Sequence, residues 1–414
     1  MRRFLLNFVI GVVALGIGAA AAAIPLFTGP TGSNPIQFPP PIYDFNALIN
    51  TINSASFSNS AVSMPNILQN SDFAVDRRNE GAAVTLTSGV FPVMTVDRWQ
   101  GFFQASVSGA GNPTVQRAVA STGNAISPYE LKVTSSTQAA TSVPAGLELI
   151  VQQQIEGQDM ADMLWGTSGA DPATYSLWAK ASVAGVYSVF VQNAAQTRSY
   201  VTDCTLPAAV WTRCSAVIPG DGLGSWNTSR GTVGAIMGMT GACGASYQTT
   251  AGAWTTGNYV CDANATQMVS TVAATLEVSA PKLERGVFAT SWNAPPASDA
   301  DIKLTRFYRK TFPTGTAPAA NAGLAGAYCV VSAAAQPVSA QFQLVPEMFS
   351  APNVNTYNPS NTNSYWRDVT GFADLASSVD PSSAKGSTGV EIVSALASAA
   401  NHNLCIHATF DTQK

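Results

Sequence analysis

The sequence predicts an all-β protein: a jelly-roll β-sandwich followed by a short helical connector and a smaller C-terminal β domain. Two observations predict this fold. Charged residues make up only 11% of the 414 residues, beside 33 glycines and 24 prolines, whereas ordinary soluble domains carry roughly 25% charge. This composition favours short strands joined by turns over long surface helices, which favour Glu and Lys. The second observation is an alternation of apolar and polar residues from Asn66 onward.

Several short segments show this alternation, which is typical of a strand buried on one face. The stretch "YELKV" places Tyr129, Leu131 and Val133 on one face. The stretches "YSLWAKA" (175–181) and "VYSVFVQ" (186–192) repeat the pattern, and turn-forming stretches such as "SGAGNP" and "PGDGLGSW" separate the runs. Many short strands at this spacing indicate a β-sandwich or jelly roll, which we place at residues 65–290.

The N-terminal region differs from the rest of the chain. Arg2 and Arg3 precede an uncharged apolar run over residues 4–23 that ends in small residues. This is the layout of a cleavable signal peptide, and the run is also long enough to be a membrane anchor. Residues 24–64 are predicted to be a Pro/Gly-rich linker, with one short helix in "ALINTINSASF".

After the sandwich, residues 291–325 are predicted to be a connector and residues 326–414 a C-terminal β domain. The connector contains "SDADIKLTRFYRKTF" (298–312), where Ser298 or Asp299 is placed to cap a helix. In the last domain, "CVVS", "AQFQLV" and "LCIHATF" are predicted strands.

The cysteines indicate disulfides in an oxidising compartment, because the chain has no CxxC pair and only two histidines to complete a zinc site. The most local scheme pairs Cys204 with Cys214 and Cys243 with Cys261, which leaves Cys329 for Cys405. Other connectivities of six cysteines stay open.

Charge and motifs exclude several functions. The net charge is −4 and no basic stripe appears, so nucleic acid is not a predicted partner. His402 and His407 are five residues apart, which puts them on opposite faces of a strand, so they are not expected to ligate one metal. Neither a nucleophile elbow nor a phosphate-binding loop is present. Both histidines are therefore predicted to be structural or surface residues.

Three carboxylates stand close together in "IEGQDMADMLWGTSGA" (155–170): Glu156, Asp159 and Asp162. A glycosidase needs two carboxyl groups about 5–9.5 Å apart across a sugar, and clustered carboxylates also bind Ca²⁺. The apolar residues among them favour a third interpretation, a structural crossover packed on the core. We therefore predict no catalytic residue, no enzyme activity and no cofactor, while a structural Ca²⁺ stays open.

Aromatic residues in loops are the best candidates for contacts with a ligand. Most of the tryptophans should be core, because large aromatics dominate burial in sandwiches. Four aromatics lie in Gly/Ser/Thr-rich loops and are predicted to form an exposed ligand-binding face: Trp226, Tyr247, Trp254 and Tyr259.

Over residues 65–414 the order of several motifs resembles a family of bacteriophage tail-fibre and appendage proteins built around a carbohydrate-binding-module-like jelly roll. These motifs are "NILQNSDFAVDRRNEG", "TVDRWQGF", "QQIEGQDMADMLWGTSGADPATYSLWAKAS", "RSYVTDCTLPAAVWTRCSAVIPGD", "GAWTTGNYV", "LERGVFAT", "LTRFYRKTFPTGTAPAANAG" and "LVPEMFSAPNVNTYNPSNTNSYWRDVTG". The segment with the three carboxylates resembles a crossover that is characteristic of the jelly roll in this family.

The resemblance implies a receptor-binding protein on the virion surface, assembled as a homotrimer with other virion proteins. Its function would be host attachment by multivalent, non-catalytic binding of host-surface glycans. Two features depart from the family: the six cysteines with a secretory-type N-terminus, and "ATSWNAPP" after the "LERG" motif. They leave room for the alternative, a secreted bacterial carbohydrate-binding or adhesive protein of the same architecture, which could also derive from a prophage.

Overall fold

The computed structural model describes residues 63–413, apart from 91, 105–110, 125, 137–141, 380–385 and 398. The predicted signal or anchor segment and the predicted linker helix lie outside the described residues. Within the described part, no helix is long and apolar enough to cross a membrane. The described chain is built of antiparallel strands with short helical turns, which confirms the predicted all-β fold.

The first part of the chain forms the sandwich. Its elements are β1 (Val84–Thr85), β2 (Val93–Val96), β3 (Trp99–Gln104), β4 (Thr114–Val119), β5 (Tyr129–Thr134), β6 (Glu148–Glu156), α1 (Gly157–Met160), a 3₁₀ turn (Ala161–Met163), β7 (Ala173–Ala181), β8 (Gly185–Asn193), β9 (Arg198–Leu206), β10 (Thr212–Ile218), β11 (Val233–Cys243), a 3₁₀ turn (Ala245–Tyr247), β12 (Trp254–Thr256), a 3₁₀ turn (Met268–Ser270) and β13 (Thr275–Arg285).

These strands form two sheets that pack face to face. Sheet A has the order β1-β4-β5-β13-β7-β10, and sheet B has the order β12-β9-β8-β11-β6-β3-β2. The predicted strands are confirmed, since Leu131 and Val133 of β5, Leu177 of β7 and Val189 of β8 are buried in one core between the sheets. Period-two alternation sends these side chains inward and their neighbours outward.

The crossover with the three carboxylates closes one end of this core. Gly157 follows β6, and a Cβ there would lie 2.7 Å from the Ser229 carbonyl oxygen, so only glycine allows this approach. Met160, Met163 and Trp165 are buried beneath the turn. The segment packs as the structural crossover that the sequence predicts.

Three disulfides fasten separate elements, and they are the same three pairs as in the most local scheme. Cys204–Cys214 joins β9 of sheet B to β10 of sheet A. Cys243–Cys261 closes a segment that follows β11. The third pair lies in the second part of the chain.

The second part contains α2 (Ala297–Leu304), β14 (Tyr308–Lys310), β15 (Tyr328–Val331), β16 (Pro337–Gln343), β17 (Asn353–Tyr357), β18 (Trp366–Asp368), β19 (Asp374–Leu375), β20 (Ser377–Val379), β21 (Gly389–Leu396) and β22 (Asn403–Asp411). Strand β22 is central, because β14, β15, β17 and β18 all pair with it, and β16-β21-β20 form a further sheet. Cys329–Cys405 links β15 to β22. Strand β14 belongs to this sheet although it lies in the predicted connector.

The connector helix begins before the predicted cap residues. Pro296 is its N-cap residue, so Ser298 and Asp299 lie inside the first turn and do not cap it. The helix ends at Leu304, and Tyr308 already belongs to β14. Proline suits the start of a helix because it lacks an N–H that would otherwise go unpaired.

Buried charges join the second part to the sandwich. Arg78 contacts Asp97 at 2.8 Å and Asp411 at 2.9 Å, and its guanidinium lies 4.1 Å from the ring centre of Tyr308. Arg98 stacks on Phe307 at 3.6 Å.

The chain enters and leaves the sandwich at neighbouring points. The Ile67 N–H donates to the Leu283 carbonyl oxygen at 2.9 Å, and Ser63 Oγ donates to the Ser291 carbonyl oxygen at 2.9 Å. The first described residues therefore run beside the segment that leads into the connector.

Candidate functional site

The outer face of sheet B carries a cleft of about 400 Å³. Its described lining consists of Gly89, Pro92, Phe102, Gln104, Glu148, Ile150, Gln152, Gln196, Tyr247 and Asn258. Aromatic and aliphatic side chains therefore alternate with amides and one carboxyl group. About half of the lining residues are polar, so the cleft combines an apolar surface with several hydrogen-bonding groups that could orient a ligand.

The floor of the cleft follows from the alternation of β6. Its residues Leu149 and Val151 point into the core, so Glu148, Ile150 and Gln152 face outward. Strand β3 supplies their cross-strand partners, because Gln104 pairs with Glu148, Phe102 with Ile150, and Gln100 with Gln152. Two polar pairs thus flank one apolar pair.

One wall of the cleft is the segment 244–260, which we call the flap. The Cys243–Cys261 disulfide closes its two ends. Tyr247 and Asn258 are the flap residues that reach the cleft. The Val260 N–H donates to the Tyr247 carbonyl oxygen at 2.9 Å, and Thr240 Oγ1 on β11 donates to the Val260 carbonyl oxygen at 2.5 Å. The flap is therefore held to the sheet by both covalent and hydrogen bonds.

Glu148 is the one carboxyl group among the described lining residues, and it is only 4% exposed. Burial raises its pKa to about 7. The pKa of Tyr247 is also raised, chiefly by burial and further by the charge of Glu148. No other described residue contributes a hydrogen bond or an ion pair to the Glu148 carboxyl group, and burial is the one cause of its raised pKa. Near neutral pH such a group exists in both forms: the carboxylate accepts hydrogen bonds from a donor that enters the cleft, and the protonated form can also donate one.

The amides of the cleft are partly held by the protein. Gln152 Nε2 donates to Gln100 Oε1 at 3.3 Å, while the buried Gln152 Oε1 has no partner among the described residues. Gln192 Nε2 donates to Asn258 Oδ1 at 2.7 Å and to the Tyr259 carbonyl oxygen at 3.0 Å. Gln192 therefore positions Asn258 at the edge of the cleft.

The four aromatics predicted from the sequence lie in two places. Tyr247 lines the cleft, and the half-buried Tyr259 packs in the same flap against the apolar patch on the outer face of sheet B. Trp226 and Trp254 instead surround Trp165, with ring centres 4.8 and 5.3 Å from it. The four residues therefore do not form one face.

The expected exposure of Trp226 is wrong, since it is 9% exposed. Its Nε1 donates to Asp221 Oδ2 at 3.2 Å and to the Leu223 carbonyl oxygen at 3.1 Å, which turns the indole inward. Trp254 is half-buried and donates to the Pro219 carbonyl oxygen at 2.7 Å. A role in ligand binding for Trp226, Tyr247, Trp254 or Tyr259 stays a prediction.

Sequence reasoning missed the floor of the cleft. Glu148, Gln152 and Gln104 were not among the predicted site residues. The signal was present in "ELIVQQQIE" (148–156), where the outward positions of the strand hold Glu148, Ile150, Gln152, Gln154 and Glu156. On an exposed strand, polar side chains at such positions contact water. Gln152 is instead buried, and a buried amide needs a hydrogen-bond partner other than bulk water.

The three carboxylates singled out in the sequence, Glu156, Asp159 and Asp162, are not among the described residues that line this cleft, and their contacts differ. Both oxygens of the buried Glu156 accept from Arg306, at 2.6 and 2.9 Å, and Oε1 also accepts from the Gly231 N–H at 2.8 Å. Burial alone would raise the pKa of Glu156, but these donors lower it. Asp159 is half-buried, and burial and the charge of Glu156 raise its pKa, whereas Asp162 is exposed.

The histidines have separate structural contacts. His402 lies just before β22 and contacts Asp368 at 2.6 Å. His407 lies within β22, where Nδ1 is 2.8 Å from Thr311 Oγ1 and Nε2 is 2.9 Å from the Gly323 carbonyl oxygen. In the described part of the chain, no three His, Cys, Asp or Glu residues are grouped so that they could hold a metal ion.

The sequence matches no protein-family model and no curated protein. Solved structures show distant similarity. The enzymatically active domain of bacteriophage CBA120 tailspike protein 4 is 12% identical with a TM-score of 0.29, over 53% of this chain and 21% of that one. A putative sugar-binding protein of Bacteroides thetaiotaomicron is 14% identical with a TM-score of 0.26, over 54% of this chain and all of that one. A xylan-binding domain of Paenibacillus barcinonensis is 9% identical with a TM-score of 0.24, over 50% of this chain and 99% of that one. The chain thus spans about a fifth of the tailspike chain.

Proposed function

We propose that this protein binds glycans without cleaving them, and that the cleft on sheet B is the binding site. The observation that carries the proposal is the presence of buried, unpaired acceptors beside aromatic and aliphatic side chains. Glu148 and Gln152 supply the acceptors, and Phe102, Ile150 and Tyr247 supply the apolar surface.

A sugar is the chemical complement of this surface. Its hydroxyl groups both donate and accept hydrogen bonds, so they pair with amides and with a carboxylate. Its C–H faces pack against aromatic rings. An unpaired buried polar group costs about 1–3 kcal/mol, and a ligand hydroxyl that pairs with it removes this cost. Each such contact therefore adds to the affinity for a hydroxylated ligand.

The arrangement of carboxyl groups supports a non-catalytic role. Cleavage of a glycosidic bond requires a pair of carboxyl groups about 5–9.5 Å apart. Glu148 is the single carboxyl group among the described residues that line the cleft. Glu156, the best candidate acid from the sequence, has both oxygens occupied by Arg306.

The setting we propose is the virion surface of a bacteriophage, where the protein acts as a tail-fibre-like receptor-binding protein. The basis is the resemblance of the ordered motifs over residues 65–414 to phage appendage proteins. In a homotrimer, three weak glycan sites would act together, and tethered sites raise the overall affinity by roughly 10²–10⁴-fold. The partners would be a host-surface polysaccharide and other virion proteins.

A secreted bacterial carbohydrate-binding or adhesive protein is the second candidate. The three disulfides favour it, since such bonds persist in oxidising compartments outside the cytoplasm. N-terminal sequencing of the mature protein and immunogold labelling of purified particles separate the two. Removal of residues 1–23 together with absence from particles would establish the secreted form.

Glycan binding itself is tested with a glycan array and the purified full-length protein. We expect binding to a subset of oligosaccharides, released by free sugar and lost in a Gln152→Ala/Tyr247→Ala double variant. Incubation of the bound oligosaccharides with the protein should leave their length unchanged by mass spectrometry. Shortened oligosaccharides would contradict the non-catalytic part of the proposal, and an array with no specific signal would contradict the whole of it.

A further inference from the structure

The buried carboxyl groups of this protein share one property, with one exception. Almost all of them accept a hydrogen bond or contact a cation within the protein. Those with such partners are Asp76, Asp97, Glu130, Glu156, Asp221, Asp262, Glu277, Glu284, Asp368 and Asp411. Among the described residues, Glu148 is the buried carboxyl group without one.

This exception lies in the cleft and not in the core. Glu148 is 96% removed from solvent, yet it lines the open space between β3, β6 and the flap. Its cross-strand neighbours are Gln104 on β3 and Cys243 on β11, and no lysine, arginine or histidine belongs to the described lining. Since a buried charge is normally paired, the missing cation is expected to come from outside the protein.

We infer that Glu148 makes the cleft selective for glycans that carry a protonated amine and makes it reject glycans that carry carboxylate or sulfate groups. This inference rests on the glycan-binding function proposed above and names the class of ligand. A ligand ammonium group would pair with the Glu148 carboxylate in a site where water screens poorly. An anionic group would instead place a second unpaired negative charge beside it.

The neighbouring residues fit an amine as well. The Tyr247 ring stands on the flap close enough to Glu148 for that charge to raise the tyrosine pKa. A cation that pairs with the carboxylate therefore also lies near an aromatic ring, which attracts it through the ring quadrupole. Gln104 and Gln152 remain as partners for the adjacent hydroxyl groups. Neutral sugars still bind through these amides, but without the ion pair.

The test compares three oligosaccharides of equal length: hexamers of glucosamine, N-acetylglucosamine and galacturonic acid. Calorimetric titration of the full-length protein is done in low salt at several pH values between about 5.5 and 8, because the ion pair requires both a protonated amine and an ionised Glu148, whose pKa is about 7. We expect the glucosamine hexamer to bind at least about tenfold more tightly than its acetylated counterpart, which is about 1.4 kcal/mol. The galacturonate hexamer should show no measurable binding.

Two variants assign the preference to one side chain. Glu148→Gln keeps the shape but removes the charge, so the two glucosamine-based hexamers should then bind within about twofold of each other. Gln104→Lys places a cation opposite Glu148 and should abolish the amine preference while Glu148 is still present. Glu391→Gln, which removes a charge from β21, is the matched control and should behave as wild type.

The outcomes separate the inference from the function on which it rests. Equal binding of all three hexamers, or an amine preference that survives Glu148→Gln in a folded protein, overturns the inference and leaves glycan binding in place. If none of the three binds and the glycan array is also blank, the proposed function fails as well. A thermal melt of each variant shows that it is folded.

Discussion

At the scale of single residues, the buried polar groups fall into two kinds. Glu156 and Asp411 are satisfied by several donors within the protein. The Glu148 carboxyl group and Gln152 Oε1 have no such partner among the described residues, and both residues line the cleft. Satisfied groups hold the fold together, whereas unsatisfied ones are free to bind a ligand. This difference distinguishes carboxylates that look alike in the sequence.

Tyr247 should contribute to affinity through its ring. We expect Tyr247→Ala to weaken glycan binding about tenfold, because the ring supplies a packing face for the sugar, while Tyr247→Phe keeps most of the affinity. Calorimetric titration with an oligosaccharide from the array measures both. Tyr365→Ala removes an exposed tyrosine that is 42% accessible and serves as the control. Equal affinities of Tyr247→Ala and wild type would contradict this role.

Glu156 should be a structural residue. Glu156→Gln is expected to lower the free energy of unfolding by about 2 kcal/mol, because it leaves Arg306 without a charged partner in a mostly buried position. Urea unfolding monitored by tryptophan fluorescence measures the change. Asp162→Asn, at an exposed acid on the same crossover, should change it by less than about 0.5 kcal/mol. A larger effect of Asp162→Asn on stability would argue against this division of roles.

Asp374 should make stability depend on pH in acid. Burial alone would raise its pKa, but four donors lower it from 3.8 to about 2. These donors are Asn363, Asn361, Asn358 and Arg367. Since the folded pKa is below the unfolded one, the stabilisation is complete above pH 3.8 and is lost as the pH falls through about 2.

This dependence is measured by urea unfolding at several pH values between about 5 and 2. We expect Asp374→Asn to be less stable than wild type at the upper end of this range, with the difference shrinking as the pH falls. Asp162→Asn should follow the wild-type curve. A constant difference between Asp374→Asn and wild type at every pH would show that the carboxylate does not carry this effect.

At the scale of elements, the flap is fastened to sheet B at several points. It contains the short strand β12 and a 3₁₀ turn, and its ends meet at Cys243–Cys261. Hydrogen bonds from Gly252 and Gly257 to carbonyl oxygens of Val201 and Thr197 hold it along the edge of sheet B. The disulfide therefore limits how far Tyr247 and Asn258 can move from the floor of the cleft.

Loss of this disulfide should reduce binding more than it reduces folding. In a Cys243→Ser/Cys261→Ser variant we expect glycan affinity to fall by at least about tenfold, because ordering the flap then opposes binding. The far-ultraviolet circular dichroism should stay that of a β protein. A Cys329→Ser/Cys405→Ser variant, which removes the link between β15 and β22, is the control with unchanged affinity. If both variants bind equally, the flap is not part of the site.

The strands could be predicted because the alternation that indicates them is a local pattern. The bounds of the helix and the residues of the site depend on distant contacts and were harder to predict. Alternation in β5, β7 and β8 depends on adjacent residues, and burial follows directly from it. Arg306, two residues after the end of α2, instead contacts Glu156, which lies 150 positions away and so cannot be recognised from a local pattern. Trp226 shows the same limit, since its burial depends on Asp221 and on the packing of Trp165 against it.

The cleft could be predicted only in part. Tyr247 was found because aromatics in polar loops are conspicuous, but Glu148 and Gln104 were not. Glu148 and Gln104 belong to the cleft because β3 pairs with β6, although the two residues lie more than forty positions apart in the sequence, and because the flap stands beside them. Alternation alone shows that Glu148 faces outward and gives no information on what lies opposite.

At the scale of the whole molecule, the sandwich and the C-terminal β domain share a buried polar contact. Arg78 bridges Asp97 of the sandwich and Asp411 of β22, with the Arg78 side chain 7% exposed and both acids 2%. Phe307 and Tyr308 pack on Arg98 and Arg78 at the same place. A contact of this kind orients the two parts, because the buried charges are paired in one arrangement.

Arg78 should therefore couple the unfolding of the two parts. We expect Arg78→Ala to lower the melting temperature and to divide a single calorimetric transition into two, because Asp97 and Asp411 lose their shared cation. Differential scanning calorimetry measures the transitions. Arg213→Ala, at an arginine on β10 without a carboxylate within ion-pair distance among the described residues, is the control and should keep one transition. One unchanged transition in Arg78→Ala would show that the parts are coupled by other contacts.

The adjacent entry and exit of the sandwich, where Ile67 meets Leu283, has an evolutionary consequence. A module whose two ends touch can be replaced by another of the same kind without stretching the segments on either side. Recombination would thereby change what the protein recognises while the C-terminal domain stays the same. A replacement module must, however, contain a residue equivalent to Arg78, since Asp411 would otherwise be buried without a cationic partner. Exchange is thus restricted to modules whose surface facing the C-terminal domain presents such a cation.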